Sequence, residues 1–138
     1  MKRGFTLLEL MIVIIIVGVL ATLGITQYQT AIERARGAEA RQVISQLRSM
    51  CAALYMGSKL ASDCNDLSLG IGTTNDLLPS VCRSSHYFRY GTGVVGNVVT
   101  FTATRCTSGG KTPQAATAGT AAVATDYSAG TDTWSGTY

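Results

Sequence analysis

Glu9 is the residue whose type and position most need a chemical reason. It sits in MKRGFTLLELMIVIIIVGVLATLGI, where nearly every residue from Phe5 to Ile25 is apolar. On insertion scales an acid at the centre of a bilayer costs roughly 2.5–3.5 kcal/mol. A first-turn acid recovers about 0.3–1 kcal/mol from the helix dipole. That alone does not explain why the apolar run begins before the acid rather than after it.

The second reactive set is Cys51, Cys64, Cys82 and Cys106. No two form a CxxC pair, which argues against zinc and thioredoxin-like chemistry. An even count in an exported segment reads as two disulfides. Four cysteines allow three pairings; the sequential one, Cys51–Cys64 and Cys82–Cys106, closes the shortest loops and is the expectation. His86 is the only histidine and lies in a strand-like stretch. No Ser/His/Asp constellation, paired carboxylates or phosphate loop is visible, so the reading is not an enzyme and has no cofactor. Asp126 and Asp132 are too sparse for a calcium site, and no metal is expected. Tyr87, Phe88, Tyr90, Tyr127, Trp134 and Tyr138, with Arg83, Arg89, Arg105 and Lys111, offer a patch for adhesion or DNA contact. Aromatic packing within a small sheet is the simpler reading.

The elements that position these residues follow from pattern. The chain has 138 residues and a formal charge of +3. Without Lys2 and Arg3 the balance is near neutral, which gives no argument for nucleic acid as the main partner. Residues 5–25 are long enough, as a helix, to span a bilayer core. Lys2 and Arg3 before them predict a cytoplasmic N-terminus and export of the rest. A cleaved secretory signal fits poorly: the run is longer than an h-region and no A-x-A site follows. From Gln27 to Met56 there is no proline and the pattern becomes amphipathic. Ile32, Ala35, Val43, Leu47, Met50, Cys51 and Leu54 recur at helical spacing, with Glu33, Arg34, Arg36, Arg41, Gln42, Gln46 and Arg48 on the other side. One helix from Phe5 to Met56 is predicted, stopped by Gly57-Ser58. Such a length is too great for the globule, so its first half is expected to project.

Residues 57–85 read as a loop with a short helical turn near Asp76–Leu78. HYFRY (86–90) and NVVTFTATR (97–105) read as a hairpin, with GTG (91–93) as its turn. Val99, Phe101 and Ala103 should face one way and Thr100, Thr102 and Thr104 the other. TAAVATDY (120–127) and DTWSGTY (132–138) are further strand candidates. The fold class is α+β, a long N-terminal helix packed on a small antiparallel sheet. A core that small is marginal, and two disulfides would help it.

RGFTLLELMIVIIIVGVLATLGITQYQ resembles the N-terminus of the type IV pilins and their relatives, which carry a class III (prepilin) signal peptide. The resemblance is dense over about the first 29 residues and weak beyond. It implies that Gly4 ends a leader (1–4) removed by a prepilin peptidase, and that Phe5 becomes the N-methylated terminus. It makes Glu9 the assembly glutamate. It divides the chain into a membrane and filament-core helix (5–26), an amphipathic helix half (27–56) and a β head (57–138). Gly18 falls where the family usually has glycine, and Gly18 and Gly24 mark places where the helix can loosen. The family commonly has proline where this chain has Thr26, so its melted segment is not carried over.

The implied function is a structural subunit of a bacterial type IV pilus. It would be held in the inner membrane before assembly and be extracellular afterwards, in a homo-oligomeric filament. Assembly platform and motor ATPases would be indirect partners, and pairing of Glu9 with a neighbour's Phe5 amine would set axial register; pairing of Glu9 with its own Phe5 amine, one turn away, is the competing geometry. The alternatives are a pseudopilin of a type II secretion system, or a minor pilin with an adhesive or DNA-binding role. Major pseudopilins usually carry a proline-tryptophan-glycine signature and an acidic calcium loop. Trp134 here stands in DTWSGTY without proline.

Overall fold

In the computed structural model, which describes residues 5–73 and 77–138, the proline-free stretch forms one helix, α1 (Leu7–Ser58). It has the predicted length and is shifted by two residues. Its C-terminal end is closed by Lys59, whose φ is +61° and whose N–H donates to Tyr55 O at 2.8 Å. The chain divides into two compact units, residues 1–35 and 36–138.

In the first unit the apolar helix residues are exposed, from Leu7 at 77% to Ile25 at 58%. Nothing within residues 5–35 covers them. A helix that is apolar all round and uncovered belongs in lipid or against other helices.

In the second unit α1 buries Gly37, Ala40, Ile44, Leu47 and Cys51, alternating three and four residues apart. This stripe is rotated from the predicted one. Leu47 and Cys51 belong to both, but Met50 and Leu54 are exposed and Ile44 is fully buried. The difference comes from Gly37 and Ala40, whose small size lets the head approach the helix; bulk alone pointed elsewhere.

The sheet is an antiparallel meander in the order β1 (Phe88–Val95), β2 (Val98–Arg105), β3 (Thr120–Asp126), β4 (Thr131–Gly136). Val99, Phe101 and Ala103 are buried as alternation predicts, joined by Phe88 from β1 and by Ala121 and Val123 from β3. The GTG triplet is strand rather than turn: Gly91, Thr92 and Gly93 pair with Thr102, Phe101 and Thr100. The turn is Gly96-Asn97, with Gly96 at φ +60° between the paired Val95 and Val98. A two-residue hairpin loop needs positive φ, which glycine supplies without steric cost.

Between α1 and β1 the described residues include a 3-10 turn, Ala61–Asp63, and bury Leu69, Ile71 and Pro79. Of the turn expected near Asp76–Leu78, Asp76 lies outside the described residues, and Leu77 and Leu78 form a bend rather than helix. This loop lies along the outer edge of β1. Tyr90 N–H donates to Pro79 O at 2.8 Å. Thr92 donates its N–H and its hydroxyl to Asp66 Oδ1 at 2.7 and 2.6 Å.

Candidate functional site: the N-terminal helix and the head that carries it

The N-terminal candidates are Phe5 and Glu9; Gly4 lies outside the described residues. Phe5 is 81% exposed. Glu9 closes a reciprocal cap with Thr6. Its Oε2 accepts the Thr6 N–H at 3.0 Å and the Thr6 hydroxyl at 2.9 Å. The Glu9 N–H donates back to Thr6 Oγ1 at 3.3 Å. This is the capping box of a T-x-x-E sequence, which satisfies helix-end donors that otherwise lack partners. Its sequence signal is the T-x-x-E spacing of TLLE. The cap fixes the carboxylate at the head of α1 through one oxygen. Oε1 accepts no hydrogen bond among the described residues.

Further along the apolar segment, a Cβ at Gly18 or Gly24 would meet nothing within 4 Å. Thr22, Thr26 and Thr30 turn their hydroxyls onto Val19 O, Leu23 O and Thr26 O at 2.8, 2.9 and 3.1 Å. Thr26 is therefore an ordinary helical residue here, with its polar group satisfied inside the helix.

The four cysteines form Cys51–Cys64 and Cys82–Cys106, with Cα separations of 5.2 and 5.8 Å. The first ties the end of α1 to the 3-10 turn. The second ties the segment before β1 to the end of β2.

The basic and aromatic residues of the head do not form one surface patch. Arg105 is 1% exposed, which removes it from any contact surface. Its Nη1 donates to Tyr87 O at 3.1 Å and its Nη2 to Pro113 O at 2.8 Å. Its guanidinium also lies over the rings of Tyr87 and Phe88, at 4.8 and 5.7 Å from their centroids. A buried charge is tolerable when carbonyls and ring faces replace water in this way. Arg36 and Lys111 also face the Tyr87 ring, at 4.2 and 5.1 Å. Arg83, Arg89 and Lys111 remain exposed. His86 Nδ1 lies 2.8 Å from Ser85 Oγ, a contact between chain neighbours.

Other aromatics hold the head to the helix. Tyr138 packs edge-on against Phe88 at 5.8 Å. Tyr127 stacks on Tyr55 at 5.0 Å and donates its hydroxyl to Arg48 O at 3.2 Å. Burial raises the Tyr127 hydroxyl above its usual pKa. Tyr90 is pushed up to about 12, first by burial and then by the nearby Glu39 carboxylate. Asp126 caps the β3–β4 turn; bonds from the Ser128 hydroxyl and from the Ala129 and Ser128 N–H groups hold its carboxyl below the usual range. Among the described residues no three metal-ligating side chains converge.

Comparison with known proteins agrees with this architecture. Residues 1–25 match the family model described as the prokaryotic N-terminal methylation motif. The chain is 38% identical over 64 residues to the type IV major fimbrial protein FimA of Dichelobacter nodosus, covering 46% of this chain and 40% of that protein. It is 36% identical over 80 residues to a fimbrial protein of Pseudomonas aeruginosa, covering 56% and 52%. With fimbrial protein Q of Moraxella bovis it shares 34% over 107 residues, covering 68% and 66%. The chain thus spans about half the length of these curated relatives. No solved structure matches it significantly. An N-terminal methylation motif heading a long apolar helix, joined to a small antiparallel head, places the chain among the type IV pilins and pilin-like proteins.

Proposed function

We propose that this chain is a structural subunit of a bacterial type IV pilus. Before assembly, residues 5–26 span the inner membrane with Lys2 and Arg3 on the cytoplasmic side. A prepilin peptidase removes residues 1–4 at Gly4–Phe5, and the Phe5 amine is methylated. The subunit then enters a homo-oligomeric filament, moved by an assembly platform and motor ATPases. Residues 5–26 pack with their neighbours in the filament core, 27–56 carry the amphipathic half of α1, and 57–138 form the head.

The observation that supports this most is the pairing of the methylation motif with a helix whose apolar residues are uncovered within their own unit. Packed side by side, such helices remove from water the surface that each alone must keep in lipid. Glu9 supplies the polar instruction within that packing. Thr6 occupies Oε2 and holds the carboxylate in place, while Oε1 is available to the Phe5 ammonium of a neighbour. A buried polar pair of this kind sets register, because any axial slip leaves both charges unpaired. The fimbrial names of the relatives favour a pilus over a secretion pseudopilin.

The test is Glu9→Ala beside Glu9→Gln, scored for membrane insertion, cleavage and surface filaments. Insertion and cleavage should persist in both, and filaments should be lost or disordered. Normal filaments from Glu9→Ala would overturn the role given to the carboxylate.

A further inference from the structure

From Leu77 to Thr125 the sequence holds no acid and four bases, Arg83, Arg89, Arg105 and Lys111. The fold gathers all four at one end of the head. Arg89 lies at the start of β1, beside Thr104 at the end of β2. The backbone draws Arg83 and Lys111 to the same place: His86 N–H donates to Arg83 O at 3.0 Å, and Lys111 N–H donates to His86 O at 2.8 Å. Arg105 is buried among them. Arg36 joins them where α1 enters this unit. Arg36, Arg105 and Lys111 lie 4.2, 4.8 and 5.1 Å from the centroid of the Tyr87 ring.

The described acids of this unit lie elsewhere. Asp126 caps the β3–β4 turn, and Asp132 pairs with Arg48, farther along α1, at 3.1 Å. Asp66 is held by Thr92 within β1. Asp63 adjoins Cys64, which is bonded to Cys51. Glu39, on α1, acts on Tyr90. The head is therefore electrically polar, with its positive end where α1 enters. Arg83, Arg89 and Lys111 are exposed there. A concentration of one sign of charge raises the local concentration of the opposite ion.

We propose that this end docks on the anionic headgroups of the bilayer that holds the chain's own apolar segment. The inference rests on the reading of residues 5–26 as a membrane span. Arg36 lies ten residues beyond Thr26 in the same helix, a rise of about 15 Å. The headgroup layer takes up roughly 5–8 Å on each side of the hydrocarbon core, and charges act across about 8 Å at physiological salt. The positive end is thus tethered within electrostatic range of the headgroups. Each Lys or Arg near an anionic surface strengthens attachment about fivefold. A lipid surface is favoured over a second copy of the chain for two reasons. The tether supplies it permanently, and Asp66, Asp126 and Asp132 are already engaged within their own head. The contact sets which end of the head meets the bilayer before assembly, and it breaks when the subunit leaves the membrane.

The experiment uses the full-length chain in vesicles of phosphatidylcholine alone or mixed with phosphatidylglycerol, each containing a lipid with a nitroxide on its headgroup. All four native cysteines are paired, so an introduced thiol takes the fluorophore. A label on Ser84→Cys, beside Arg83, reports the basic end, and one on Ala129→Cys, in the β3–β4 turn, reports the other; both positions are exposed. The Ser84→Cys label should be quenched more with phosphatidylglycerol, and the Ala129→Cys label equally in both vesicles. Raising the salt from roughly 0.1 to roughly 1 M shortens the screening length to about 3 Å and should remove the difference. Adding Arg89→Gln and Lys111→Gln should lower the docked-to-free ratio about 25-fold while the chain stays inserted. Equal quenching of the Ser84→Cys label in both vesicles by an inserted chain would overturn the proposal and leave the pilin reading standing. Quenching that depends on the density of chains and not on phosphatidylglycerol would assign this end to a second copy, and would overturn it too. A chain that alkali strips from both vesicles has no membrane span, and overturns the pilin reading together with the proposal that rests on it.

Discussion

Tyr138 lies so close to Gly37 that a Cβ at position 37 would stand 2.5 Å from its Cδ1. On the other side of the ring a Cβ at Gly119 would collide with its Cε2. The ring fills a slot between α1 and the strand-entry loop that only two glycines leave open. It thereby ties the end of β4, a strand with no buried residue, to the helix.

Gly37→Ala and Gly119→Ala should each destabilise the head by about 1–3 kcal/mol, the usual cost of overpacking. Each effect should shrink when combined with Tyr138→Ala, since residues in contact couple. Urea unfolding followed by near-UV circular dichroism measures both. Fully additive costs would mean that the slot is not the cause.

Arg105 is a buried cation held by two carbonyls and two rings. Arg105→Ala leaves the Tyr87 and Pro113 carbonyls without these donors and should cost about 2–4 kcal/mol. Arg89→Ala, at an exposed position of β1, should change stability by less than about 0.5 kcal/mol. The same unfolding measurement compares them, and equal effects would contradict the burial argument.

Tyr90 gives the head an alkaline limit. Its folded pKa of about 12 lies above the ordinary 10.0, so folding favours the protonated phenol. The contribution is complete below the unfolded pKa and is lost as pH rises from about 10 to about 12. Tyr90→Phe should flatten the fall in stability across that window. Asp126 works in the opposite direction. Its depressed pKa means its contribution is present above the ordinary carboxylate range and disappears as pH falls through the folded value. Asp126→Asn should weaken the acid dependence.

Several features were legible in the sequence for definite physical reasons. The length of α1 followed from the missing proline, although Gly57 and Ser58 are helical and it is Lys59, at φ +61°, that ends the helix; the β2 alternation followed from its period of two. The turn of the first hairpin was misplaced because GTG looks like a turn, although Gly96-Asn97 carries the two-residue signal. Arg105 continues the inward alternation of Val99, Phe101 and Ala103; its charge suggested a surface, and only the fold brings the carbonyls that accept it. The Gly37 slot was not readable, because the ring that fills it comes from the other end of the chain. The Thr6–Glu9 cap is legible as T-x-x-E, a side-chain pairing that the helix dipole alone does not reveal.

Thr6→Val keeps the shape of the cap residue and removes its hydroxyl. Losing a capping hydroxyl costs about 1 kcal/mol. Pilus yield should fall by less than in Glu9→Ala, since the carboxylate remains. Counting sheared filaments in both variants checks this order, and a Thr6→Val defect as deep as that of Glu9→Ala would assign the assembly role to the cap itself.

The most direct test of the central claim is mass spectrometry of the N-terminal peptide from filaments sheared off the cell surface. A processed, assembled pilin predicts a peptide that begins at N-methylated Phe5 in that fraction. A chain that still begins at Met1 in every fraction would contradict cleavage at Gly4–Phe5, and with it the pairing proposed for Glu9.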